Sequence, residues 1–321
     1  MVREGVRPSQ MSAATKTALI AKLSPQSCIV VETTSNAKTN GAALIAAYTA
    51  AKALTPNGEE LSATNRACVI IPPGNYDLDH GEDDACVPLT LDTEFVDIIG
   101  LTTDRSLQQI YGTPEATNSG VIVQTADDVH VSNLYVKILT EVESANWNDT
   151  DTNSAAYFPS TSLSNTVVDN CQFDGQDGSN DEGPRLFSMR LYIEYSGTFN
   201  NCTGGDVAFG GAGGTASGTF TNCTGGEAAF GGGRGTASGT FTNCTGGTSA
   251  FGGDRGTASG TFNYCTGGYS AFGGNGGTLS GQLYYCRLTT GSFQTLAVGG
   301  KLRACVDGSD TFIATLDYKA P

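Results

Sequence analysis

The carboxylates are the first groups to weigh for chemistry. Asp127 and Asp128 stand side by side against an apolar strand-like run, and Asp169 and Asp174 flank the next one. Two carboxylates can cleave a glycosidic bond when one protonates the leaving oxygen and the other attacks or activates water, at a separation of roughly 5–10 Å. Strand alternation puts Asp127 and Asp169 on accessible faces, and acids on neighbouring strands, ~4.8 Å apart, come within that range. A solvated face is the plainer role for them. A lyase would need a basic residue instead, and Arg185 and Arg190 beside an acidic loop are the candidates. Of the two histidines, His80 and His130, the second lies inside ADDVHVSNL, where a structural or surface role is expected. No Ser/His/Asp signature accompanies either of them.

Oxygen ligands at alternate positions occur in Asp149-x-Asp151-x-Asn153 and in Asp177-x-Ser179-x-Asp181. Both runs lack the glycine at the sixth position and the glutamate at the twelfth that complete a calcium loop. Calcium is thus the one cofactor the sequence raises. No CxxC and no Cys/His pair stands at zinc spacing. Trp147, Tyr157 and Phe158 share one polar stretch, 141–162, and aromatic rings among Asn, Asp and Thr suit stacking on sugars. The same rings could equally pin that loop to the rest of the protein.

These groups need a scaffold, and the scaffold is written as a repeat. From Ser196 to Cys286 four copies of a 21-residue unit follow one another, typified by SGTFTNCTGGEAAFGGGRGTA, with a looser fifth after them. Cys202, Cys223, Cys244, Cys265 and Cys286 are spaced by 21, as are Phe199, Phe220, Phe241, Phe262 and Leu283. A fixed period of this size marks stacked units that bury their apolar faces against each other. Stacked cysteines all point one way, which suits small buried thiols better than bridges. The pattern predicts a triangular coil in which Phe220 points inward, Asn222 turns the corner and Cys223 points inward on the next side. Glycine supplies positive-φ corners. A polyglycine-like bundle is the alternative, and the regular TF/NC half of each unit speaks against it. The Thr219, Thr240 and Thr261 column suggests ice binding, but Phe and Asn interrupt it and no flat Thr-x-Thr face is expected.

Upstream, Val131-Ser-Asn133-Leu134, Val168-Asp-Asn170-Cys171 and Phe199-Asn-Asn201-Cys202 share one pattern at steps of 37 and then 31 residues. The front is therefore the same coil with loops expelled, at 141–162 and 174–185. A helix through AALIAAYTAAKAL, capped by Asn36 or Asn40, presents Leu44, Tyr48, Ala51 and Leu54 to the open end of the stack. An earlier short helix is expected at 10–23. Four regions result: a helical cap (1–60), irregular coils (61–195), regular repeats (196–306) and a strand-like tail (307–321). The net charge of −15 lies wholly before residue 196, since six acids and six bases follow it. An acidic front argues against nucleic acid. No apolar run reaches the ~18 residues of a membrane helix, and no secretory signal is expected in the first 23 residues.

The helix followed by VIIPPGNYDL, the repeated Asn-Cys or Asn-Leu step, and the coil length together resemble the right-handed parallel β-helix proteins of pectate-lyase-like type, which include many phage tail spikes. The resemblance implies an all-β, single-stranded solenoid with N-terminal capping helices. It also implies an amide ladder at Asn133, Asn170, Asn201, Asn222 and Asn243, broken at Tyr264 and Tyr285. The acidic Gly-Asp step usual before the family's helix is missing, and TSNAKTNG stands there. The fold hosts lyases, hydrolases, adhesins and passive shafts alike. The expected role is a non-enzymatic virion appendage, made without a signal, homotrimeric, and touching other virion proteins and host surface polysaccharide. A polysaccharide depolymerase and a bacterial surface adhesin are the alternatives.

Overall fold

The computed structural model describes residues 27–114, 119–139, 154–159, 164–174, 194–205, 208–210, 213–274, 276–293 and 296–317. The chain winds as a right-handed parallel β-helix. Its first sheet runs through Cys28–Val30, Ala67–Ile71, Val96–Gly100, His130–Ser132, Val167–Asp169, Thr198–Asn200, Thr219–Thr221, Thr240–Thr242, Thr261–Asn263, Gln282–Tyr284 and Lys301–Val306, each strand parallel to the last. A second sheet holds Gly74–Asp77, Gln108–Gly112, Tyr135–Ile138 and Gln172–Asp174. A third joins Leu89–Leu91, Ser119–Gln124 and Ser154–Pro159. In the repeats its place is taken by two-residue strands such as Thr236–Ala237 and Thr257–Ala258.

Each regular coil follows from its residues. In Thr219-Phe220-Thr221 strand alternation sends Phe220 inward, fully buried. Asn222, at φ 54, turns the corner, and Cys223 points inward again. Two phenylalanine columns fill the interior. Phe220, Phe241 and Phe262 stack at 4.9–5.0 Å, and Phe230, Phe251 and Phe272 at 4.8–4.9 Å. The columns meet edge to face at 5.3–5.8 Å, the arrangement favoured by ring quadrupoles. Each thiol donates to a carbonyl one coil back: Cys223 Sγ to Phe199 O at 3.3 Å and Cys244 Sγ to Phe220 O at 3.4 Å. A Cβ at Gly239 would lie 2.1 Å from Gly218 O, so only glycine lets successive coils close there.

Both threonines of Thr219/Thr221 and of Thr240/Thr242 face outward because Phe220 and Phe241 point in. A Thr-x-Thr face does form over these two coils, contrary to the sequence expectation, and Asn200 and Asn263 bound it.

Among the described residues one α-helix, Ala37–Ala51, closes the front end, with the Asn36 side chain accepting from Thr39 N. Leu44, Ala47, Tyr48 and Ala51 are its buried stripe. The expected helix at 10–23 lies outside the described residues. A disulfide, not foreseen, links Cys28 and Cys68 on adjacent first-sheet strands. At the other end Phe312–Asp317 reverses direction and pairs antiparallel with Lys301–Val306, so the tail strand does not continue the coil. Arg105 ties the front to the repeats: its guanidinium donates to Cys171 O, Asn201 O and Thr203 Oγ1, each at 3.0 Å.

Candidate functional site

The second sheet positions the most chemically varied surface. Tyr76, Ile110, Val136 and Phe173 are its inward column, all fully buried. Alternation then fixes two outward columns on consecutive coils, Asn75, Gln109, Tyr135 and Gln172 in one, Asp77, Tyr111, Lys137 and Asp174 in the other. Lys137 is the centre. Its ammonium lies 5.3 Å from the Tyr111 ring centroid and 5.6 Å from that of Tyr135, within reach for cation–π attraction. It also donates to Gln109 Oε1 at 3.1 Å. The Gln172 amide donates to Asp174 Oδ2 at 3.0 Å. Burial, and then the hydrogen bond to Asp174, push the Tyr135 phenol up to about 12. Burial, followed by the charges of Asp77 and Asp79, also raises the Tyr111 phenol.

Two half-buried rings, a fixed cation, two carboxylates and three amides thus share one face. Such a surface stacks on the apolar side of a sugar ring while amides and carboxylates engage its hydroxyls.

A second polar cluster sits on the first sheet. Arg66 Nε donates to Asp97 Oδ2 at 2.8 Å, and Arg66 Nη2 to Asp97 Oδ1 and Asp128 O, both at 2.5 Å. Asp97 Oδ1 also accepts from His130 N at 2.9 Å, and His130 Nδ1 lies 3.7 Å from Asp97 Oδ2. The guanidinium rests 5.4 Å from the Phe95 centroid. Asp97 is 6% exposed, and its carboxylate is occupied by a bidentate arginine. This cluster joins three coils, and His130 belongs to it as a structural partner.

The acids singled out in the sequence are not brought together. Val167 pairs with His130, which sets Asp127 level with Ser164 and Asp169 level with Ser132. Asp127 and Asp169 are therefore five residues out of phase and one coil apart. The gap is on the order of 15 Å, beyond the roughly 5–10 Å of two-carboxylate chemistry. Each acid has a local role instead. Asp127 Oδ1 accepts from Ser164 N at 2.8 Å, Asp128 Oδ2 from Asn165 Nδ2 at 3.2 Å, and Asp169 Oδ1 from Asn201 Nδ2 at 3.2 Å. Asp174 alone stands in the second-sheet cluster.

Tyr157 is corrected as well. It pairs in register with Ile122 in a strand set inside the expected 141–162 loop. There it is 1% exposed, donates to Gln124 Oε1 and sits 5.3 Å from Phe173, so it offers no ring to a ligand. Trp147, Asp149, Asp151, Asn153, Asp177, Asp181, Arg185, Arg190 and the Phe158 side chain lie outside the described residues. Among the described residues no group of three or more His, Cys, Asp or Glu is placed to hold a metal ion.

The expected amide ladder forms in two pieces, Asn170 Nδ2 to Asn133 Oδ1 at 2.9 Å, then Asn222 to Asn201 at 3.1 Å and Asn243 to Asn222 at 3.2 Å, because Asn201 Nδ2 turns to Asp169 Oδ1 instead of to Asn170. Sequence reading missed Gln109, Tyr111, Tyr135 and Lys137. Their signal is the pair of segments QIY and YVK, each with a buried aliphatic residue between two outward polar or aromatic ones.

No family model and no curated protein matches the chain. Among solved structures it is similar to a pectin methylesterase determined in complex with a hexasaccharide, at 14% identity over 70% of this chain and 57% of that one, with a TM-score of 0.29. It is similar also to pectin methylesterase PemA from Erwinia chrysanthemi, at 12% identity with coverages of 70% and 57% and a TM-score of 0.29. The chain spans less than three fifths of the length of those enzymes. At such identity the likeness bears on neither activity nor substrate.

Proposed function

We propose that this chain is a structural and recognition protein, a β-helical shaft whose irregular coils bind polysaccharide on the outer face of the second sheet. The observation that carries the reading is the Tyr111–Lys137–Tyr135 arrangement, edged by Gln109, Gln172 and Asp174 on one surface. The separation of Asp127 from Asp169 supports a binding role over cleavage. Near-exact copying of the coils supports a rigid shaft, and in this reading the protein serves as a homotrimeric virion appendage whose partner is host surface polysaccharide. Affinity electrophoresis through gels of purified capsular and cell-wall polysaccharides tests it. Two rings at about 1 kcal/mol each make the Tyr111→Ala/Tyr135→Ala variant bind roughly 10–30-fold more weakly. Unchanged retention of that variant would overturn the assignment.

A second reading is a polysaccharide-degrading enzyme on the same fold. It is favoured by the Tyr135 phenol bonded to Asp174 next to Lys137, an acid–base grouping on an accessible face. New reducing ends or unsaturated products from the wild type, lost in Asp174→Asn, would establish it in place of the first.

A further inference from the structure

From Asn133 onward the corner position of the described coils is left-handed. Asn133, Asn170, Asn201, Asn222 and Asn243 hold it at φ 50–59, a conformation asparagine tolerates. The next two coils place Tyr264 and Tyr285 there, at φ 55 and 57. A bulky ring is disfavoured at positive φ. This chain accepts that conformation at other aromatics: Phe209, Phe230, Phe251 and Phe272, at φ 51–57, are fully buried and burial offsets the strain, while Phe95, at φ 64, is half-buried beneath the Arg66 guanidinium. Tyr264 and Tyr285 are 58% and 57% exposed. They also replace the amide ladder that reaches Asn243 from the coil below.

The two rings stack at 4.9 Å with 6° between their planes. The stack is unfinished on one side. Tyr284 pairs with Arg303, so the next corner is Ala304, at φ 51, which supplies no ring. A flat ring added over Tyr285 would continue the column. On the same two coils and the one that follows, the charged side chains are paired and the polar ones bonded: Arg287 meets Asp310 at 2.9 Å, Arg303 meets Asp317 at 2.7 Å, and Tyr284 Oη donates to Gln282 Oε1 at 2.6 Å.

We infer that the Tyr264–Tyr285 stack is a second ligand site, at the opposite end of the shaft from the second-sheet face, for the pyranose ring of an uncharged glycan. A pyranose has the flat C–H face that stacks on tyrosine and a hydroxyl rim that suits paired polar groups. Balanced flanking charges give a polyanion no purchase, since the six acids and six bases from residue 196 onward cancel. This site rests on different residues from the second-sheet face and stands without it.

The test is the Tyr264→Asn/Tyr285→Asn variant, which extends the amide ladder and relieves the backbone. Wild type, this variant and Tyr111→Ala/Tyr135→Ala are run through gels containing dextran, glucomannan or polygalacturonate, with urea unfolding and sedimentation measured in parallel. The asparagine variant is expected to unfold at the same or a higher urea concentration, and to lose at least fivefold in affinity for a neutral gel on which the wild type is retarded. Retention lost only in this variant supports the inference and removes the second-sheet reading. Retention lost only in Tyr111→Ala/Tyr135→Ala, no retardation of the wild type on either neutral gel, or a fall in sedimenting mass with retention unchanged overturns it, the last by assigning the tyrosines to a contact between copies.

Discussion

Phe241→Ala probes what holds the shaft together. Phe241 is fully buried at the middle of the repeats. It stacks on Phe220 at 5.0 Å and Phe262 at 4.9 Å and meets Phe230 and Phe251 edge-on at 5.8 and 5.5 Å. Truncating a buried phenylalanine costs about 3–5 kcal/mol through lost transfer energy and the cavity left behind. Ring pairing adds about 1 kcal/mol per contact, partly counted already in that range. The upper end, about 5 kcal/mol, is therefore expected, because stacked coils of fixed pitch have little freedom to collapse into the gap. Coils touch only their neighbours, so the loss is local and uncouples the segments on either side. Urea unfolding followed by circular dichroism should become broader or biphasic, and amide exchange should accelerate first around residues 240–262. Thr240→Ala, one residue away on the exposed face, should cost less than about 0.5 kcal/mol. A single transition as sharp as wild type, with a loss below about 2 kcal/mol, would refute the packing account.

Asp97→Ala leaves the largely buried Arg66 without its partner and should cost about 3–5 kcal/mol in urea unfolding. Lys38→Met breaks an exposed pair with Asp84 and should leave the midpoint unmoved. Reducing Cys28–Cys68 opens a 40-residue link, whose chain-entropy value is about 4 kcal/mol, so unfolding in dithiothreitol should begin at the front of the coil. Intact front amides under reduction would count against that. Burial pushes the Cys286 thiol up to about 12, and the Cys171 and Cys202 thiols well above the usual range. The unfolded thiols ionise near 8.5. Their contribution to stability is therefore complete below that pH and is lost as pH rises toward 12. Thiol reagents at pH 9 should spare these cysteines in the native protein and label them in urea, and labelling at equal rates would refute the burial.

The regular coils were legible because one constant period fixes the phase of every residue, so Phe220, Asn222 and Cys223 could be assigned to inside, corner and inside. At the front the coil length varies, and phase was lost with it. Asp127 lies six residues before the corner Asn133, whereas Asp169 lies one before Asn170. Counting from the corner would have shown that they cannot face each other. Tyr157 looks like a loop residue in the sequence because Ser154–Pro159 is short and, among the described residues, pairs with a strand 35 positions earlier, Ser119–Gln124. Lys137 was overlooked because its environment comes from Tyr111 and Gln109 on another coil, and no local motif records that register. The Cys28–Cys68 bridge was invisible for the same reason, since it depends on where the 40 intervening residues return the chain.

Arg105 spans the junction between irregular and regular coils with three hydrogen bonds to residues 171–203. Four nearly interchangeable copies could otherwise slide by a whole unit, each misaligned stack closely imitating the correct one. The arginine clamps the first repeat coil to the irregular coil before it. With the start fixed, the shaft behaves as a ruler graduated in steps of ~4.8 Å. Gain or loss of a 21-residue unit during evolution would lengthen or shorten it by one graduation and leave both ends chemically intact. The distance between the two ends is thereby stored as a count of copies, a quantity that changes by whole steps while the chemistry of each coil stays the same.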